Sequence, residues 1–325
     1  MNLLDKVIPI YNINEEMNNT LNEISIKLNN IIVNNKQKRK YMITKSKVRS
    51  IHSSLAIEAN SLSLFDVENI SEDKQVVGKK NEVLEVKNAI EIYNHINDYN
   101  YKSERDLLRA HQLMMKYFDE DNGGYRNHGE GIKRNNKIIY MAPESILVPS
   151  LMKSLFEFMN NNKDLNKIVL AAIFHYYFVS IHPFSDGNGR IARLWVTLIL
   201  INYNKNFEFI PIEEEIYLNH EEYYLSIDEC HINGNANMFI KFMLKIINSS
   251  LDKIIKNNNF ALNNIQNKIL ELITNNNRMT QNEIANIIGV NVRTIKRNFK
   301  ILVDNEIIER IGSDKKGYWQ TLKNK

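Results

Sequence analysis

One cysteine, five prolines and eleven glycines in 325 residues leave this chain short of three structural devices. A lone Cys230 can form neither an intramolecular disulfide nor a thiolate zinc site, which removes the staples of small secreted domains and fits a reducing cytoplasm. Cys230 stands beside His231, but an isolated pair of that kind is seldom a metal site. So few glycines and prolines cannot supply the many tight turns of a β-sandwich or barrel, and helices are expected instead. Long apolar runs are missing too. The longest, 168–181, is interrupted by His175 and Ser180 and is too short to span a bilayer, so it reads as a buried helix and no membrane contact is expected. The first residues, MNLLDKVIPIYN, lack a basic region followed by an apolar one, so no secretion signal is expected.

Hydrophobic residues at 43% and charged residues at 25% are ordinary globular usage, and the length suits two or three domains. The net charge of +4 is unevenly spread. From Asn259 onward there are eleven basic and six acidic residues, a net +5, which leaves −1 for everything before it. Any contact with nucleic acid is therefore to be sought in the last segment.

The spacing of Leu21, Ile24, Leu28, Ile31 and Ile32 predicts helices within 14–60, with the basic run KQKRK at 36–40 as a solvated helix end or turn. A polar stretch at 71–82 precedes a helix through Val83, Val86, Ile90, Tyr93 and Ile96, and another helix is expected over 104–118. Residues 119–145 differ: the glycines cluster, and Asn135 and Asn136 lie between Ile132 and the β-prone Ile138, Ile139 and Tyr140, a hairpin pattern. Helices are predicted again over 146–160, 165–181, 189–203, 213–230 and 236–256. Past the low-complexity NNNFALNN come helices at 264–275, 280–288 and 292–305. Thr280 and Glu283 form a capping box there, and strands alternate around a turn at 312–317, a helix-turn-helix with a wing. Three domains are expected: an N-terminal helical region over 1–80, a core over 81–257 and a winged domain over 258–325.

The chemistry is concentrated in His182, Pro183, Phe184, Ser185, Asp186, Gly187, Asn188, Gly189 and Arg190, followed by Arg193. This is a loop feeding a helix N-terminus, where unpaired amides and the macrodipole favour an anion. Gly187 and Gly189 admit a phosphate close to the backbone. Asp186 offers a hard oxygen suited to Mg²⁺. Arg190 and Arg193 share a helix face and can grip outer phosphates. His182 is placed to take a proton from an incoming hydroxyl, and no second base is evident beside the loop.

This segment resembles the signature of the Fic family: HPF, any residue, Asp or Glu, GNGR, any two residues, Arg. Every specified position is matched. The likeness extends through AAIFHYYFVSIHPF to Tyr223 and Tyr224 and covers most of 83–250. It implies a mainly α fold, a Fic-type helical core with a β-hairpin flap, and a small C-terminal winged helix. The implied activity is transfer of AMP from ATP to a hydroxyl of Tyr, Ser or Thr on a target protein, and on the chain itself, with Mg²⁺ as cofactor and pyrophosphate as product. On this resemblance His182 is the general base and Asp186 the Mg²⁺ ligand. Gly187, Asn188 and Gly189 form the phosphate nest, Arg190 and Arg193 hold the β- and γ-phosphates, and Tyr223 and Tyr224 join the nucleotide site. Phe184 belongs to that site as the anchor that fixes its loop from the core, and His175 is structural. Glycine at 189, where the phosphate-transferring Doc-like branch has Lys, favours AMP transfer.

The resemblance also implies that the hairpin of Ile132, Lys133, Ile138, Ile139 and Tyr140 docks a target backbone by strand addition. Ser54 and Glu58 match the family's inhibitory helix, with Glu58 directed at Arg193. Ala59 departs from the Gly or Asn expected there; Ala should prolong a helix that Gly would end, which puts the reach of Glu58 in question. Arg293, Lys296, Arg297 and Lys300 give the recognition helix a basic face, which favours DNA contact through 290–317, with a winged helix that docks protein or dimerises as the alternative; a homodimer is a further candidate partnership. The competing readings are a DNA-binding regulator that uses the core as a nucleotide sensor, and an enzyme that removes AMP.

Overall fold

The apolar stripes of the first 60 residues become two helices. The first, α1 (Glu15–Asn30), buries Met17, Ile24 and Leu28, and α2 (Lys36–Ile57) opens on the basic run and buries Met42, Val48, Ile51 and Leu55. The computed structural model describes residues 9–31, 33, 36–118, 122–134, 137–258, 264–304, 307–313 and 317–322. A capping box of Ser63 and Asp66 starts α3 (Leu64–Ser71), and after the expected polar stretch α4 (Lys80–Asn94) buries Val86, Ala89, Ile92 and Tyr93. The next helix, α5 (Glu104–Met114), is capped by Ser103 and stops earlier than the expected 118, because the chain turns and Tyr117 enters the left-handed region at φ 73°.

The hairpin expected in 119–145 forms from β1 (Gly131–Arg134) and β2 (Lys137–Met141), antiparallel, with Ile132 opposite Tyr140 and Lys133 opposite Ile138 across a bulge. Its Asn135–Asn136 turn and the side chains of 132–139 lie outside what is described. Then follow α6 (Val148–Asn161), α7 (Lys167–Ile181) and α8 (Asn188–Tyr203). The single helix expected over 213–230 is two, α9 (Ile212–Leu218) and α10 (His220–Asn233). Asn219 breaks it by leaving helical dihedrals (φ −118°, ψ 32°) while its side-chain amide takes the Glu215 carbonyl at 2.8 Å. The last helix of this part is α11 (Asn237–Asn258).

Two compact units result: Met1–Asn30 with Met42–Leu251, and Ile31–Tyr41 with Asp252–Lys325. At the centre of the first, α7 packs against α8. Helix α7 is buried on every side, as an apolar run without amphipathic period requires, and Phe174, Phe178, Trp195 and Phe184 fill the space around it. In the second unit, α12 (Asn264–Asn275), α13 (Gln281–Ile288) and α14 (Val292–Asp304) close around Ile269, Ile273, Ile284, Ile295, Phe299 and Leu302. The Thr280–Glu283 capping box is present, and Gly289 ends α13 at φ 77°. The wing pairs β3 (Ile308–Ile311) with β4 (Tyr318–Thr321), Trp319 packs on Phe299, and residues 314–316 of its turn are not described.

Among the described residues no helix is long and apolar enough to cross a membrane.

Candidate active site

The loop between α7 and α8 is shaped by two left-handed residues. His182 caps α7 at φ 51°, ψ 60°, with its amide on the Phe178 carbonyl at 3.0 Å, and Gly187 precedes α8 at φ 80°. A side chain at Gly187 would strike the Met115 sulfur, 2.8 Å from the Cβ position, so glycine is needed for both conformation and space. Asn188 closes the loop. Its Oδ1 accepts from the Phe184 amide (3.0 Å) and its Nδ2 donates to the Phe184 carbonyl (2.8 Å), so its side chain is spent on the loop and its main-chain amide remains for an anion. Phe184 is fully buried and stacks on His111 at 3.6 Å, as an anchor should.

His182 Nδ1 lies 3.4 Å from the Val179 carbonyl, an acceptor only, so the proton sits on Nδ1 and Nε2 keeps its lone pair. Burial lowers the His182 pKa below the ordinary imidazole value, and the ring is neutral at pH 7. Asp186 takes the Gly187 amide at 2.6 Å and pairs with Arg190 Nη2 at 2.8 Å. Burial would raise its carboxyl, but the charge and hydrogen bonds of Arg190 and the Gly187 amide outweigh it and bring the pKa down. Arg190 is buried, with Nη1 on Glu85 at 3.1 Å, while its Nε has no partner among the described residues. A buried donor without an acceptor is costly and points towards an oxygen of a ligand.

Arg193, 1% exposed, is gripped from α2. Nε meets Ser54 Oγ at 3.0 Å, and Nη2 meets the Ser54 carbonyl at 2.9 Å and Glu58 Oε1 at 2.7 Å. Burial works against this charge, yet the Glu58 carboxylate holds the Arg193 pKa above its ordinary value. Ala59 does not prolong α2. It adopts φ 66°, its amide bonds the Ala56 carbonyl and the Asn60 amide bonds the Leu55 carbonyl, a Schellman ending reached by an alanine at some strain. Glu58 thereby stands at the helix end and reaches Arg193. Its carboxylate occupies the space a Cβ at Gly189 would need, and Arg193 Nη1 would stand 3.0 Å from that Cβ.

Tyr223 is buried with its hydroxyl on His175 Nε2 at 2.9 Å, and burial lowers the His175 pKa to about 3. Tyr224 is half-buried beside Tyr223 and lies close enough to Arg193 to add to its field. On the hairpin, Tyr140 stacks on His231 at 3.9 Å, and the Ala142 amide bonds the Glu130 carbonyl at 3.0 Å. Cys230 is buried and bonded by the Phe239 amide.

Sequence reasoning missed four participants. His111 accepts from the Gly123 amide on Nδ1 (2.9 Å), so its Nε2–H donates to the Asp186 carbonyl (3.0 Å). Glu85 accepts from Arg190 Nη1 and, at 2.8 Å, from the side-chain Nδ2 of Asn60, joining the two. Arg126 holds the His182 carbonyl at 2.7 Å. Contrary to the expectation of no second base, His128 Nε2 lies 3.0 Å from Ser185 Oγ. None has a local signal, since each meets the loop from a distant part of the chain.

A Mg²⁺ ion fits this donor set in one form. Asp186, with a side chain 64% exposed, is the carboxylate facing the loop, and among the described residues no group of three or more His, Cys, Asp or Glu could cage a metal. Mg²⁺ retains waters and takes one or two carboxylates plus nucleotide phosphates, which this arrangement suits.

Comparison with known proteins agrees with this geometry. The pattern of the Fic/DOC family matches residues 101–200, and that of a winged helix-turn-helix DNA-binding family matches 262–309. A Fic family protein from Desulfovibrio desulfuricans G20, known by crystal structure, is 30% identical, with a TM-score of 0.74 over 97% of this chain and 98% of that one. A Fic domain-containing signaling protein from Bacteroides thetaiotaomicron shares the fold at 20% identity and TM-score 0.62, over 73% of this chain and 97% of that one. The protein adenylyltransferase fic-1 of Caenorhabditis elegans is 28% identical over 216 residues, 63% of this chain and 40% of its own length. The chain thus spans about two fifths of the length of that curated relative. It belongs to the Fic/DOC family.

Proposed function

We propose that this protein transfers AMP from ATP to a hydroxyl side chain, Tyr, Ser or Thr, of a target protein and of itself. The observation that carries the reading is the pairing of a neutral His182, its Nε2 lone pair available, with an anion-binding helix start flanked by Arg190 and Arg193. The hydroxyl oxygen attacks the α-phosphorus, His182 Nε2 takes the hydroxyl proton, and the bond to the β-phosphate oxygen breaks to release pyrophosphate. The amides of Asn188 and Gly189 bind phosphate oxygens, and that of Gly187, held by the Asp186 carboxylate, joins them only when the carboxylate releases it. Arg190 offers its orphan Nε, and Arg193 can reach the γ-phosphate only once Glu58 lets go. Asp186 would hold Mg²⁺, which when bound neutralises phosphate charge. His111 and Asn188 keep the loop in shape.

The Glu58–Arg193 pair supports an inhibitory reading of the α2 end, since it commits to a carboxylate the guanidinium that a γ-phosphate needs. The β1–β2 hairpin is read as the platform for a target strand. The winged unit is read as a DNA contact: Arg293, Lys296, Arg297 and Lys300 are all exposed on the face of α14 opposite Ile295, Phe299 and Leu302. Incubation with α-labelled and with γ-labelled ATP plus Mg²⁺ tests the whole. AMP transfer leaves the α label on protein, phosphate transfer leaves the γ label, and a nucleotide sensor leaves neither.

A further inference from the structure

Arg126 has no part in the chemistry above, yet it is 4% exposed and its donors are spent at the rim of the site. Nε donates to the His182 carbonyl at 2.7 Å, and Nη2 to Pro143 at 2.6 Å and Ile181 at 3.4 Å. Nη1 donates to the His128 carbonyl at 2.6 Å, and the main-chain amide of Arg126 to the Pro183 carbonyl at 2.9 Å. Each of these acceptors is a main-chain carbonyl, and they fall into two groups. Ile181, His182 and Pro183 form the end of α7 and the start of the catalytic loop, where a cation complements the helix C-terminus. His128 and Pro143 flank the hairpin, one just before β1 and the other just after β2.

His182 needs such support. Its left-handed backbone is unfavourable for a residue with a side chain and persists only where the surroundings over-determine it. Its peptide is held from the helix side by the Phe178 carbonyl and from the loop side by Arg126. The guanidinium fork spans both groups of carbonyls at once. A lysine, with a single point of donation, could satisfy one group and not both.

We propose that Arg126 is a positioning residue that couples the β1–β2 hairpin to the His182 turn, so that the general base and the platform for the target strand are aligned by one side chain. This rests on the reading of the site as an AMP transferase. Loss of the fork leaves the phosphate nest intact, because the α8 start is held by Asn188 and His111, but lets the hairpin and the imidazole drift relative to each other. Drift of about 1 Å costs on the order of 100-fold in rate.

The test compares Glu58→Gly, in which the proposed brake is removed, with the same chain carrying Arg126→Lys or Arg126→Met. ATP affinity in Mg²⁺ is measured by calorimetry, self-modification by the α label, and amide hydrogen exchange by mass spectrometry. The expected result is ATP affinity within a few-fold, a maximal rate on the order of 100-fold lower in both variants, and faster exchange in 128–131, 141–143 and 182–186 together while the interiors of α7 and α8 stay protected. Lys should not restore the rate, and it keeps the charge and bulk should Met fail to fold. An unchanged rate, loosening of one segment without the other, or loss of ATP affinity in step with the melting temperature would overturn the proposal. If Glu58→Gly alone transfers no AMP, the functional reading fails, while the exchange pattern still decides the coupling.

Discussion

The α7–loop–α8 hub and helix α14 are built on opposite patterns. In the hub, apolar residues surround α7 on every side, and the polar groups of the loop and the helix after it meet specific partners: Asn188 meets Phe184, Asp186 meets His111 and Arg190, and the buried Arg193 meets Ser54 and Glu58. In α14 one side buries Ile295, Phe299 and Leu302 and the other exposes four cations. A site of the first kind acts through fixed distances in a low-dielectric interior, so one atom in the wrong place is decisive. A surface of the second kind acts through summed charge that salt screens, so each residue counts as a fraction.

The sharpest break of the hub is His182→Ala. If His182 is the general base proposed above, its removal should lower AMP transfer by about 10² to 10⁴-fold while melting temperature and ATP binding hold, checked by α-label incorporation and calorimetry. His128 beside Ser185 gives any residual rate a candidate source. In the unaltered protein, burial depresses the His182 pKa below 6.5, so the proton-accepting form persists below the ordinary titration. The acid limb of the rate profile should therefore have its midpoint under pH 6.5.

For α14, reversing Arg293, Lys296 and Arg297 to Glu should reduce the slope of log affinity for duplex DNA against log salt by about 3, read by fluorescence anisotropy across a salt series. The hub activity should not follow. If the unaltered chain shows no binding at low salt, the winged unit docks protein instead.

Glu58→Gly probes the hub from its edge. Releasing Arg193 should raise self-modification by a modest factor, below the roughly 100-fold that a 1 Å misplacement costs. Equal rates at saturating ATP would show that the ion pair does not restrain the reaction.

The smallest effect is expected from Ala59→Gly. Relief of a left-handed alanine should raise stability by about 1 kcal/mol, measured by denaturant unfolding, and hold Glu58 on Arg193 at least as firmly.

Much of this was readable beforehand for definite reasons. The signature residues from His182 to Arg193 lie within three helical turns, so their spacing alone sets them on one loop and one helix face. The Thr280–Glu283 cap and the wing are likewise local devices. The break at Asn219 was not readable, because 213–230 has a helical pattern throughout and the break depends on a side chain turning back onto the carbonyl of Glu215.

What the sequence by itself determined was local: which stretches are helix, which signature residues share the loop before α8, and where positive charge gathers. These follow from periodicities of a few residues. The tertiary structure alone decided that Ala59 takes the left-handed turn that lets Glu58 reach Arg193, 135 positions away, and that Arg126 and His111 brace the loop before α8. Those contacts depend on how buried helices stack and on which carbonyls their ends leave unpaired, and residue spacing along the chain carries no record of either.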